Sequence, residues 1–219
     1  MYIIINELEK DVLREIISIG LARAADSFSN YAKGGVLLDV PEIKIIEPRV
    51  LPDVIDEYQE IYYVIRSDIK GELNGKTFLL FTAENITKIA DVCLEDVSSI
   101  SPDYDSQKQE MLLEISQIIT SALSTQLSKI LHLKLSTQNA SALFASEASS
   151  IHHILEDMPE YQPFVITIKT YFRKLVKSVE LPMLVVFDSL SVSELLRIIR
   201  RDNLYDYKLL KETGRANNF

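Results

Sequence analysis

Apolar residues in the stretch Gln109–Leu131 recur at three- and four-residue steps. Met111, Leu112, Ile115, Ile118, Ile119, Ala122, Leu123, Leu127, Ile130 and Leu131 share one side of a 3.6-residue period. That spacing predicts one long amphipathic helix. The other side carries Glu110, Glu114, Gln117, Ser121, Ser124 and Ser128. Glu114 and Gln117 are three residues apart and so neighbours on the polar face. The small hydroxyl residues around them would let a partner approach closely. The stretch Asp11–Tyr31 repeats the pattern, with Val12, Leu13, Ile16, Ile19, Gly20, Ala24, Phe28 and Tyr31 inward and Asp11, Glu15 and Ser18 outward. Asn6 is the expected N-cap of this first helix, and Gly34-Gly35 its expected stop.

Between and after the two long helices the pattern changes to alternation and short apolar runs. Val36–Val40, Glu42–Val50, Glu60–Lys70 and Lys76–Thr82 are predicted strands, the last two joined by a turn at Asn74-Gly75. Pro52–Tyr58 is a short helix or loop. Glu84–Glu95 is a helix, and the polar Asp96–Ser106 is a loop. In the second half, extended pieces fall at Leu133–Ser136 and Ser141–Phe144, and a helix or loop at Glu147–Glu156. Strands follow at Phe164–Phe172 and Val179–Phe187, then a last helix, Val192–Arg201, capped by Ser189 or Ser191. The tail 211–219 is expected to fray.

The halves resemble each other. Glu15 and Glu114 lie 99 positions apart, each followed by an isoleucine and then by a polar residue at +3 and an isoleucine at +4. Further on, Phe78-Leu79-Leu80-Phe81 corresponds to Leu184-Val185-Val186-Phe187 at an offset of 106. The fold class expected is α/β of the α+β type, a single domain over 1–219. It would be built from two repeats, about 6–95 and 106–201, with a mostly antiparallel sheet shared between them and helices on its faces.

Composition narrows the function. A net charge of −9 argues against a nucleic-acid binder, which would show a basic face. The one basic cluster, Arg197, Arg200 and Arg201, reads as a solvated helix end. Cys93 is the only cysteine and reads as a buried structural thiol in a reducing compartment. With no signal-peptide pattern and no apolar run near 20 residues, neither secretion nor membrane insertion is expected, and the protein is placed in the cytoplasm. His152-His153 read as loop residues rather than metal ligands. No GxGxxG, P-loop or GxSxG pattern occurs.

These residues resemble the CheC/CheX/FliY family of chemotaxis phosphatases. The family signature is Asp or Ser, three residues, Glu, two residues, Asn, twenty-two residues, Pro. In the first half Asp11, Glu15 and Pro41 stand at the signature places, with Ser18 at the Asn position. In the second half Glu114 is in place, while Glu110, Gln117 and Ala140 replace the Asp/Ser, the Asn and the Pro.

The resemblance implies action on the aspartyl phosphate of a CheY-like response regulator. The Glu would pair with a lysine of the regulator, and the Asn amide would orient a water for in-line attack. It implies no cofactor of the protein's own, since Mg²⁺ would be held by the partner. Glu15, Ser18, Glu114 and Gln117 are then the candidate catalytic residues, with Asp11, Glu110 and Ser121 as partner contacts. Gln117 keeps the amide on a chain one methylene longer, whereas Ser18 does not keep it. Two readings follow. The first is a CheC-like protein that docks phosphorylated receiver domains and hydrolyses them weakly. The second is a non-catalytic scaffold for a receiver domain, a CheD-like partner or flagellar switch components.

Overall fold

A computed structural model describes residues 3, 5–31, 36–46, 50, 63–97, 99–143, 161–172 and 178–205. The elements, in order, are α1 (Glu7–Tyr31), β1 (Val36–Ile45), β2 (Tyr63–Gly71), β3 (Gly75–Phe81), α2 (Ala83–Cys93), α3 (Tyr104–Leu131), β4 (Leu135–Thr137), β5 (Ser141–Leu143), β6 (Tyr161–Phe172), β7 (Ser178–Asp188) and α4 (Ser189–Arg201). The expected stop at Gly34-Gly35, the Pro52–Tyr58 and Glu147–Glu156 segments, the histidine pair and the tail lie outside the described residues.

Helix α1 begins as its sequence predicts. Asn6 Oδ1 accepts the Glu9 N–H at 2.9 Å, and Glu9 Oε2 accepts the Asn6 N–H at 2.9 Å. This reciprocal capping box satisfies two backbone donors that the helix itself leaves unpaired. The second oxygen of Glu9, Oε1, accepts from Arg200 Nε on α4 at 2.6 Å. Arg200, in the basic cluster at the helix end, is exposed as expected and in addition ties the two ends of the described chain together.

Helix α3 is longer than its apolar period, starting at Tyr104 rather than Gln109. Its first turn is held by charge. Lys108 pairs with Asp105 at 2.6 Å and lies 5.0 Å from the centre of the Tyr104 ring. At the other end His132 adopts φ 54°, and the Leu133 N–H reaches back to the Ser128 carbonyl at 3.0 Å, closing the helix in a left-handed cap. Helix α4 begins at Ser189 and is capped by Asp188, whose Oδ1 accepts the Ser191 N–H at 2.6 Å. Neither Ser189 nor Ser191 is the cap. Ser191 Oγ accepts the Asn74 N–H at 2.7 Å and fastens the β2–β3 turn instead.

The strands form one sheet in the order β1-β6-β7-β3-β2-β4, with β5 also on β2, and every pairing is antiparallel. The two most apolar runs lie side by side at its centre. Phe78 of β3 stands directly opposite Leu184 of β7. The order is symmetric about this pair: the β2–β3 hairpin answers the β6–β7 hairpin, β1 lies outside β6, and β4 and β5 lie outside β2.

Among the described residues, three prolines fall in strands, and each sits where a ladder is interrupted. Pro41 lies in the register shift between Asp39 and Glu42. Pro163 is one position beyond the last β1–β6 pair, and Pro182 one position beyond the last β3–β7 pair. A residue without an N–H costs least at such places. The bulge at Pro41 joins the two predicted pieces Val36–Val40 and Glu42–Val50 into one strand ending at Ile45, and Val50 lies outside it.

Strands β3 and β7 are buried on both faces. Leu79, Phe81, Met183, Val185 and Phe187 join the helices in one core, while Phe78, Leu80, Leu184 and Val186 are buried on the other face. Helices α1 and α3 pack along each other, and a glycine sets how closely. A Cβ on Gly20 would lie 3.2 Å from Leu123 Cδ1 and 3.5 Å from Gln126 Cβ. Among the described residues, no helix is long and apolar enough to cross a membrane.

Candidate functional site

The site candidates stand on α1 and α3. Gly20 of α1 meets Leu123 of α3, and Tyr31, eleven residues on, feels the charge of Glu110 and Glu114. Moving forward along one helix therefore moves backward along the other, and the pair is antiparallel. Glu15 and Glu114 each precede the crossing on their own helix, so they lie at opposite ends, roughly 20 Å apart along the helix axes at 1.5 Å per residue. The structure does not bring the two signature glutamates together.

At the α3 end, Glu110 and Glu114 are exposed one helical turn apart. Neither makes a hydrogen bond or ion pair among the described residues. Tyr31 flanks them, and its hydroxyl is pushed up to about 12, mainly by burial, with Cys93, Glu114 and Glu110 adding negative potential. The ridge thus presents two carboxylates to solvent. A groove of about 570 Å³ runs beside it between the helices, where Arg23 and Ser27 of α1 face Glu114, Thr125 and Lys129 of α3.

Gln117 also lines this groove, and its amide is held at both ends. Oε1 accepts the backbone N–H of Ala140 at 3.0 Å. Nε2 donates to Ser121 Oγ at 3.0 Å and to Thr137 Oγ1 at 3.2 Å, and those two hydroxyls bond each other at 3.1 Å. The side chain clasps the β4–β5 connection to the helix. Ala140 makes this possible, since a proline at that position would have no N–H to offer. Ser121, a predicted partner contact, spends its hydroxyl in the same network.

At the α1 end the candidates are less open. Asp11 pairs with Arg14 on its own helix at 2.7 Å. Glu15 and Ser18 are each half-buried. Ser124, placed on the polar side by its spacing, is buried together with Ser116, Thr120 and Gln126. The polar face is narrower than its sequence suggests because α3 packs against both α1 and the sheet. Thr120 meets Thr77 of β3 through a 2.8 Å hydroxyl pair. Burial pushes the Cys93 thiol up to about 12, as suits a packed, unreactive group. Sequence reasoning missed Thr137, Arg23 and Asn139. The one signal that pointed toward them was the signature position at Ala140, which leads to the loop carrying Asn139.

No protein-family model matches the chain. Solved structures do. Thermotoga maritima FliY is 18% identical at a TM-score of 0.69, over 91% of this chain and 99% of that one. FliM in a FliG–FliM complex from H. pylori is 10% identical at 0.57, over 86% and 98%. The CheX–CheY–BeF3–Mg²⁺ complex from Borrelia burgdorferi matches at 10% identity and 0.51, over 80% and 98%. The α+β fold expected from the resemblance is therefore the one observed, and the chain has the fold shared by FliY, CheX and FliM.

Proposed function

We propose that this protein docks phosphorylated CheY-type receiver domains on the α3 ridge and hydrolyses their aspartyl phosphate slowly. The observation that carries the reading is the pair of exposed carboxylates, Glu110 and Glu114, without a hydrogen bond or ion pair among the described residues, on a long helix of this fold. A receiver domain carries a lysine beside its phosphoaspartate, and Glu114 is the group to meet it. The CheX of similar fold is recorded in complex with CheY, BeF3 and Mg²⁺. In the present protein the same assignment leaves Mg²⁺ with the partner and requires no cofactor of its own. A cytoplasmic location fits this role.

Docking and turnover separate at Gln117. While its amide holds Ala140, Ser121 and Thr137, both its N–H groups are committed and its oxygen is tied to the Ala140 backbone, so it is poorly placed to orient a water, hydrolysis is slow and docking is the main activity. At the α1 end, Ser18 has no amide, and Asp11 is paired on its own helix. That end serves as a contact surface.

The second reading is a scaffold without turnover. It is favoured by the commitment of Gln117 and by the likeness to FliM, which is recorded with FliG in one complex. Such a scaffold would hold a receiver domain, a CheD-like partner or flagellar switch components. Calorimetric titration with a CheY-type receiver, with and without BeF3⁻ and Mg²⁺, tests the docking. The activated form should bind at least about tenfold more tightly, and Glu114→Ala should cancel most of that difference. Equal affinity for the two forms would refute the receiver reading.

A further inference from the structure

The hydrogen bonds of Gln117 fix more than a helix surface. They hold the short connection between β4 and β5, residues 138–140, against the flank of the acidic ridge. Its two ends are pinned. The Gln138 N–H bonds the Asp68 carbonyl of β2 at 2.9 Å, and the Ala140 N–H bonds Gln117 Oε1 at 3.0 Å. Between these anchored residues stands Asn139. Its side chain is exposed and makes no hydrogen bond among the described residues. An unengaged amide on a pinned backbone therefore lies next to the clasp. Gln117 is in turn one helical step, about 5–6 Å, from Glu114.

We propose that Asn139 supplies the amide that positions the attacking water on a docked phosphoreceiver, and that Gln117 is the positioning residue that holds it there. The inference rests on the docking reading above and names the group that would do its chemistry. An amide suits the task because one end accepts a water proton while the other donates to a phosphoryl oxygen, with no negative charge added beside the anion. Glu114 would fail there through repulsion, and Gln117 is committed to the clasp. A loop pinned at both neighbours loses little entropy on binding, which is what water positioning needs.

The step balances without an added base. The water oxygen bonds to phosphorus as the bond from phosphorus to the receiver's aspartyl oxygen breaks. The electron pair leaves on the aspartate carboxylate, and both water protons depart on dihydrogen phosphate. The partner's Mg²⁺ offsets charge on the phosphoryl oxygens.

The test uses the full chain with a CheY-type receiver phosphorylated by acetyl phosphate. It follows phosphate release against the receiver's own decay, and in parallel affinity for the BeF3⁻ form and exchange of the Ala140 amide. Asn139→Ala and the isosteric, charged Asn139→Asp should return release to the receiver's own rate. Asn139→Ala should leave affinity within about twofold and the Ala140 amide protected. Acceleration that survives in Asn139→Ala, or binding by the unaltered chain with no acceleration, would overturn the assignment and leave the docking reading standing. If Asn139→Ala lost binding and acceleration together, the residue would be a docking contact instead. No binding by the unaltered chain would remove both proposals.

Discussion

Phe78 and Leu184 face each other across the β3–β7 ladder, and they lie at the offset of 106 at which the two halves of the sequence resemble each other. A residue pairs with its own counterpart across antiparallel strands only at a local twofold. The symmetric strand order around this pair leads us to propose that the two halves are copies of one ancestral unit. Both side chains are almost fully buried. Phe78→Ala should cost about 3–5 kcal/mol and Leu184→Ala about 2–5 kcal/mol in denaturant unfolding. Because they are directly opposed cross-strand neighbours, the double variant should lose less than the sum. Full additivity would contradict the direct packing.

The Glu9 side chain joins the start of α1 to α4. Its carboxylate is 1% exposed, caps Asn6 with one oxygen and takes Arg200 with the other. Asn6→Ala should cost about 0.5–2 kcal/mol through the lost cap. Glu9→Ala should cost more than Asn6→Ala, because it opens the cap and the tie to α4 together. Thermal unfolding of the single variants checks the order, and equal losses would mean that the Arg200 contact contributes nothing.

Backbone geometry supplies a third expectation. Gly71 ends β2 at φ +128°, and a Cβ there would lie 2.1 Å from the Lys134 carbonyl oxygen. Gly71→Ala should therefore destabilise by at least about 1–2 kcal/mol. The opposite sign is expected at the α3 cap. His132 occupies the left-handed region without being glycine, so His132→Gly should stabilise by about 0.5–1 kcal/mol. Chemical denaturation midpoints report both.

Two partly buried groups contribute to the alkaline loss of stability. Cys93 and Tyr31 are both pushed up to about 12, from ordinary values of 9.0 and 10.0, because burial disfavours their charged forms. The unfolded chain releases these protons first. Their contribution to stability is thus complete below about pH 9 and is lost progressively as the pH rises to about 12. On the acid side the sign reverses. Hydrogen bonds from Arg66 at 2.8 and 2.9 Å hold the Asp68 carboxyl below its ordinary 3.8, so its contribution is present above that value and lost as pH falls further. Urea midpoints across pH 8–11 should decline, and Cys93→Ala with Tyr31→Phe should flatten the decline. The Cys93 thiol should also alkylate slowly at pH 8.

Much of the fold was legible. The apolar period marked both long helices, Asn6 announced its cap, and the runs at Phe78–Phe81 and Leu184–Phe187 marked the central strands. What escaped were features that period does not encode. The first turn of α3 is built from Asp105 and Lys108 and has no apolar repeat to betray it. Asp188 rather than a serine caps α4, since both serines lie inside the helix. The contact between Glu9 and Arg200 spans 191 positions and leaves no local trace.

The candidate site was legible in part. Glu114 and Glu110 were placed on the open face, where they stand. The state of Gln117 was not, because an amide on a helix looks the same in sequence whether it meets water or a backbone N–H. Its partner Ala140 reads in the sequence only as a missing proline, and the bond between them turns two substitutions into one structural unit. Ser124 was misplaced because a hydroxyl at helical spacing does not reveal a neighbouring helix.

The central claim is that Glu114 meets the lysine of a receiver domain. A double-mutant cycle on affinity for the BeF3⁻-activated receiver tests it most directly, combining Glu114→Ala with removal of that lysine's charge in the partner. The account predicts a coupling of about 1.5 kcal/mol or more between the two sites. A coupling indistinguishable from zero, with binding intact in each single variant, would contradict it.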